Sequence, residues 1–282
     1  MLPRLIQIGP FPLYSFGLMV VLGFIAGVWL ATRLAMRRGL PGAVLMDAAV
    51  VILLAGIVGA RLLFVLLNWK TFAAQPWDVF STWQGGMSFH GGAAAGIFAG
   101  VLYARAQSAP VLRLAEAAVP GLALGYAVGR IGCFLNGCCY GEPTTLPWGI
   151  PGAYCQGVRD AALHYHPAQL YAMLLNLVLC AALVRAYHRP HHVGQVMALY
   201  VGGYSVYRFA IEALRKNYTA DVAAFGLTAS QLFSIAAIVV SAAWWLWLKR
   251  HSESVPEVAQ DNDASPEPAV AAPSALPPTP NA

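Results

Sequence analysis

The stretch ALGYAVGRIGCFLNGCCYG, residues 123–141, sets an arginine at the end of an apolar run that reads as a membrane helix. Arg130 shares that setting with Arg61, in VGARLLFVLL, and Arg208, in YSVYRFAIEALR. A charge at the bilayer centre costs about 2.5–3.5 kcal/mol on insertion scales. Arginine does not shed its proton to escape that cost. Together with His90 and Glu212, the three cations predict a polar cavity inside an apolar bundle. Fixed cations in such a place bind an anion, and in a bilayer the abundant anion is a lipid phosphate.

Composition supports the membrane reading. Of 282 residues, 59% are hydrophobic and 10% charged, with a mean hydropathy of +0.60, whereas soluble domains carry about 25% charged residues. This is an all-α polytopic membrane protein whose length suits about seven spans of ~20 residues. The net charge of +5 is spread along the chain, so it does not point to nucleic acid. The N-terminus lacks the basic segment and small-residue cleavage site of a signal peptide.

The expected spans are residues 14–34, 44–67, 89–106, 115–135, 168–187, 194–213 and 228–248. Arg33, Arg37, Arg38, Arg105, Arg113, Arg185, Arg189, Lys249 and Arg250, nine of the 17 Lys and Arg, fall on one side. Basic loops favour the cytoplasm, which puts the N-terminus outside and the C-terminus inside. Residues 1–251 are then the membrane domain, with residues 136–167 an external cap loop. Residues 252–282 are acidic and rich in Pro and Ala, a composition that cannot bury a core and predicts a disordered cytoplasmic tail.

Five constellations could carry chemistry. Residues Gly129–Gly141 hold four glycines at 129, 132, 137 and 141, which are not expected to extend an ordinary helix. Free N–H groups beside Arg130 would suit a phosphate, although small residues also serve tight packing between membrane helices. Tyr204, Arg208, Glu212 and Arg215 recur at helical spacing, so Arg208 and Glu212 can pair. Such pairs are often purely structural, but two arginines against one glutamate leave cation for a ligand. His90, between glycines at the mouth of the third span, could take a proton at neutral pH. In His164–Tyr171, His166 opens the fifth span, and Gln169 and Tyr171 could hydrogen-bond in the bundle. The last constellation is Cys133, Cys138, Cys139 and Cys155. Cys-x4-Cys-Cys lacks a standard zinc spacing; with His164 and His166 as the nearest further ligands a metal site is the weaker reading, and none is assigned. On an oxidising face a disulfide between two of the four is favoured, with Cys155 a partner for the adjacent Cys138 and Cys139.

These residues resemble the prolipoprotein diacylglyceryl transferases of the bacterial inner membrane. The resemblance rests on GGMSFHGG (85–92), GRIGCFLNGCCYG (129–141), HPAQLY (166–171) and YRFAIEALR (207–215), in one order, with GARLLFVL around Arg61 and the opening PFPLYSFGLM. It covers nearly the whole chain except the tail. It implies transfer of diacylglycerol from phosphatidylglycerol to the lipobox cysteine of a preprolipoprotein signal peptide, with no cofactor. A thioether forms and glycerol phosphate leaves. In that reaction His90 assists thiol deprotonation, while Arg130 and Arg208 bind and polarise the phosphate. Glu212 orients Arg208. Arg61, Gly129, Asn136, Gly141, Tyr204, Arg215, His166 and Gln169 line the substrate. The chain departs from the family pattern at three places. Cys133 stands for an Asn, Cys138 for a Glu, and Phe16 for a Tyr. Thiols accept hydrogen bonds poorly, so a divergent paralogue with altered substrate or weak activity is one alternative. A membrane thiol–disulfide enzyme is another, against which stands the lack of Cys-x-x-Cys. An anion transporter would be expected to show internal repeats, and none is evident.

Overall fold

In hydrocarbon every backbone N–H and C=O must be satisfied within the chain, which leaves the helix as the form for long apolar segments. The computed structural model of the chain describes residues 4–8, 11–81, 85–215 and 222–256. Its helices are α1 (Ser15–Arg37), α2 (Gly42–Leu67), the short α3 (Trp69–Ala74), α4 (Phe89–Ala106), α5 (Val111–Asn136), α6 (Ala168–His188), α7 (Gln195–Ala213) and α8 (Ala229–His251). Prolines 41, 110 and 167 immediately precede α2, α5 and α6, where a missing N–H costs little. A reciprocal cap between Thr228 and Gln231 starts α8.

Among the described residues, α1, α2, α5, α6 and α8 are long and apolar enough to cross a membrane. The expected segments 89–106 and 194–213 are also helices, as α4 and α7, but fall outside that group. Helix α7 carries Arg208 and Glu212, and α4 has 18 residues. Most of the predicted tail, residues 257–282, lies outside the described residues.

Small residues set the helix seams. Helix α1 packs on α5 through Gly23 and Gly27 against Gly125 and Gly121. A Cβ on Gly121 would stand 2.2 Å from the Gly27 carbonyl oxygen, so the backbones are in direct contact there. Helices α2 and α4 meet in the same way at Gly59 and Gly91. Helix α6 packs against α5 and α7, and α8 covers α7.

The expectation that the glycines of residues 129–141 would not extend an ordinary helix is not met as far as Asn136. Helix α5 runs through Gly129 and Gly132 to Asn136, and the left-handed residue that ends it is Gly137, at φ 75°. The N–H groups of that stretch are therefore committed to helix hydrogen bonds rather than free for an anion. Neighbouring helices make the difference, because Gly132 packs directly against Phe16 and Met19 of α1.

The loop after α5 is itself folded. Ile150–Pro151 pairs antiparallel with His164–Tyr165, and Tyr140, Cys155 and Tyr165 form a small buried cluster. All five cysteines are free thiols. The expected disulfide through Cys155 is absent: its Sγ lies in that cluster, 3.9 Å from the Pro151 carbonyl oxygen. The loop is tied to the bundle by backbone bonds from Gly141 N to His166 O at 2.9 Å and from Glu142 N to Leu214 O at 2.7 Å.

One polar group in the bundle was not singled out from sequence. Glu116 of α5, only 2% exposed, accepts from Val196 N at 3.0 Å and lies 3.6 Å from His191 Nε2. Nearby, Arg38 donates to the carbonyls of Tyr187 and Pro256 and lies over the Tyr187 ring. These contacts knit the α1–α2 turn to the α6–α7 connection.

Candidate functional site

The chemistry gathers where α5 and α7 meet beneath the folded loop. A tyrosine stripe lines α7. Tyr204 packs on Tyr200 and Tyr207 of its own helix, with ring centroids 6.0 and 5.0 Å away, and edge-on to Tyr126 of α5 at 5.8 Å. Tyr207 donates to Asn176 Oδ1 at 3.1 Å, and Asn176 donates on to Ala172 O. Neither Tyr126 nor Asn176 was picked out from sequence. Tyr126 lies one helical turn before Arg130, and that spacing was the signal available.

Arg130 is half-buried. It donates to the Tyr126 hydroxyl and lies over that ring, 4.7 Å from its centroid. Its Nε is buried with no partner, and among the described residues no carboxylate forms an ion pair with it. A buried guanidinium with unused donors is costly unless an acceptor fills the site. Arg208 is partnered differently. It lies 3.1 Å from Glu212 Oε2 and 3.3 Å from the Ser230 hydroxyl of α8. Arg215 approaches the same glutamate oxygen at 3.9 Å. One buried carboxylate thus faces two guanidiniums, and Arg130 adds a third positive charge to the site.

The loop supplies the rim. Gln169, fully buried, donates to the Cys138 carbonyl at 2.7 Å and leaves its own Oε1 buried without a partner. Asn136 Oδ1 accepts from Gln156 at 3.4 Å. His166 Nδ1 lies 3.5 Å from the Tyr171 hydroxyl, which accepts from Trp148. The Sγ atoms of Cys133, Cys138 and Cys139 all lie within 4.8 Å of one another. Hydrogen bonding from Cys133, and then from Cys138, holds the Cys139 thiol well below its ordinary range. The Arg215 and Arg130 guanidiniums act in the same direction, against desolvation.

Two expected members are not brought in by direct contacts. Arg61 is 7% exposed, and all three of its guanidinium nitrogens donate to carbonyls of the segment before α4: Val79 at 2.9 Å, Gly85 at 2.7 Å, Gly86 at 3.0 Å and Ser81 at 3.3 Å, with Asp78 beside them. This arginine anchors a loop, and its donors are spent on backbone rather than left for a lipid phosphate. His90 is exposed at the start of α4, edge-on to Phe89. No hydrogen bond or ion pair joins it to Arg130 or Arg208 among the described residues. Gly129 faces open space, with nothing within 4 Å of where a Cβ would stand.

The family model described as prolipoprotein diacylglyceryl transferase matches residues 3–247. Among similar proteins is the phosphatidylglycerol–prolipoprotein diacylglyceryl transferase of Gloeobacter violaceus, 39% identical over 255 residues, covering 89% of this chain and 94% of that one. Those of Synechococcus elongatus and Geobacillus kaustophilus are each 34% identical, over 91% and 86% of this chain and 90% of theirs.

Proposed function

The chain belongs to the prolipoprotein diacylglyceryl transferase family, and on that premise we propose that it moves diacylglycerol from phosphatidylglycerol to the lipobox cysteine thiol of a preprolipoprotein. The sulfur attacks the glycerol carbon that bears the phosphodiester. A C–S bond forms, the C–O bond breaks, and its electron pair leaves with glycerol phosphate. The thiol proton passes to a base of the protein and from there to solvent.

Arg130 receives the phosphate and stabilises the charge that grows on its oxygen. The observation that carries this role is its buried, unpartnered Nε, with no carboxylate paired to Arg130 among the described residues. Arg208, held by Glu212 and Ser230, presents a second guanidinium, and Tyr204 packs between the two helices that bear them. Arg215, Asn136, Gly141, His166 and Gln169 shape the rim, and Gly129 leaves room for the lipid. His90 takes the thiol proton, reaching the site once substrate is bound, since catalytic hydrogen bonds often tighten only in the complex.

The protein is a multi-pass bacterial membrane protein. Helices α4 and α7 span with the five longer ones, for seven in all, with the N-terminus external and the C-terminus cytoplasmic. Residues 1–251 form the transferase domain, with residues 136–167 its external cap; the expected tail from residue 252 begins later, because Ser254–Val255 pairs with His191–His192, and residues 257–282 are its cytoplasmic remainder. Protein purified in detergent, given phosphatidylglycerol and a lipobox peptide, should yield diacylglyceryl thioether by mass spectrometry. Absence of that product from folded protein, with the same peptide modified by a known family member, would overturn the assignment.

A further inference from the structure

The cysteine spacing conceals a site that the backbone assembles. Cys133 lies on the last turn of α5, and the chain then reverses through Gly137, at φ 75°, and Cys139, at φ 64°. A left-handed cysteine is uncommon, and here it turns the third sulfur back towards the first two. Cys138 N bonds Cys133 O at 3.1 Å, and Gln169 clamps the Cys138 carbonyl. The result is three free thiols within 4.8 Å of one another. Zinc–sulfur bonds of about 2.3 Å put the sulfurs of a tetrahedral site roughly 3.8 Å apart, so a small contraction would close this set around one ion.

Nothing else among the described His, Cys, Asp and Glu joins that group. Three protein ligands with an open fourth position is the arrangement of catalytic rather than structural zinc. Three thiolates on a dication leave one net negative charge, and the Arg215 and Arg130 guanidiniums act on Cys139 from beside it.

We propose that Cys133, Cys138 and Cys139 ligate one thiophilic cation of the zinc class whose fourth position takes the thiol of the protein substrate. The proposal rests on the transferase reading above for the identity of that thiol. Binding exchanges the thiol proton for the metal, and His90 carries that proton to solvent, because a coordinated thiol is deprotonated outright. The metal-held thiolate then attacks the lipid glycerol carbon, and the phosphate oxygen leaves with the C–O electron pair. No oxidant or reductant is needed. The two cysteines that replace an amide and a carboxylate in the family pattern thereby become ligands.

Cobalt(II) is the probe, added to full-length protein freed of metal and kept reduced in detergent. The expected result is one cobalt per chain, with thiolate charge-transfer absorption and the strong visible bands of a tetrahedral site. Cys138→Ser and Cys139→Ser should each weaken binding by more than the roughly 10–100-fold that changes beyond the ligands cost. Cys180→Ala, in the α5–α6 core, should not. Circular dichroism would establish that each variant is folded. A lipobox peptide added without lipid should shift the visible bands, and its Cys→Ser counterpart should leave them unchanged.

Absent thiolate–cobalt absorption, or a disulfide between any two of the three cysteines under these reducing conditions, would overturn the proposal. So would undiminished product formation by demetallated protein, which would leave the transferase assignment standing. The peptide-dependent shift without any product from phosphatidylglycerol would support the metal site and sink the transferase assignment.

Discussion

Replacing Arg130 with glutamine should separate stability from activity. In the free protein this guanidinium is half-buried, bonded among the described residues only to the Tyr126 hydroxyl, with its Nε buried and unpaired there. A glutamine side chain in its place could still meet Tyr126 while removing a desolvated charge, so thermal unfolding in detergent should occur at an unchanged or higher temperature. Activity should move the other way. If Arg130 gives two charge-assisted hydrogen bonds to the departing phosphate, each contributes about 1.5–3 kcal/mol. The combined loss is on the order of 3–6 kcal/mol, or about 10²–10⁴-fold in kcat/KM. Arg130→Lys should recover little, because an ammonium keeps the charge but not the planar fork. The assay is the rate of thioether formation with a lipobox peptide over a phosphatidylglycerol series, alongside melting with and without the lipid. A glutamine variant that melts well below the parent and loses activity only in proportion to its folded fraction would show that Arg130 is structural.

Other substitutions test the frame around the site. Gly121→Ala should lower stability by about 1–3 kcal/mol, the usual cost of overpacking, since its Cβ would meet the Gly27 carbonyl oxygen at 2.2 Å. Gly129→Ala, with nothing within 4 Å, should instead gain about 0.5–1 kcal/mol from reduced chain entropy, and thermal melts of the two would check the contrast. Arg61→Ala should cost about 3 kcal/mol or more by stranding the carbonyls it holds. Faster proteolysis between residues 76 and 86, along with a lower melting temperature, would report it. Glu212→Gln should destabilise by about 2 kcal/mol, less than breaking a fully buried pair, because Arg208 and Arg215 keep some exposure. Its melt should recover in high salt, which screens the two uncompensated cations.

Most helix positions were legible in the chain because lipid leaves the backbone one solution. The expected segment 89–106 coincides with α4, and the others begin and end within a few residues of the observed helices. Continuous hydrophobicity carries that information locally. The pairing of Arg208 with Glu212 was also local, a matter of four-residue spacing on one helix. The roles of Arg61 and the cysteines were not readable in this way. Arg61 sits in an apolar helix much as Arg130 does, and only the placing of residues 78–81 and 85–86 against it shows that its donors end on backbone carbonyls. The glycines at 129 and 132 look like helix breakers until packing against α1 shows why the helix continues. Cys-x4-Cys-Cys matches no ligand spacing as a linear pattern, yet left-handed turns at Gly137 and Cys139 bring its sulfurs together while Cys155 is drawn into the loop's own core. Sequence by itself determined where the chain is apolar, and so where it must be helical. The tertiary structure decided which buried polar groups are already satisfied and which retain unused capacity, because a hydrogen bond or a metal ligand set depends on distances between segments remote in the chain.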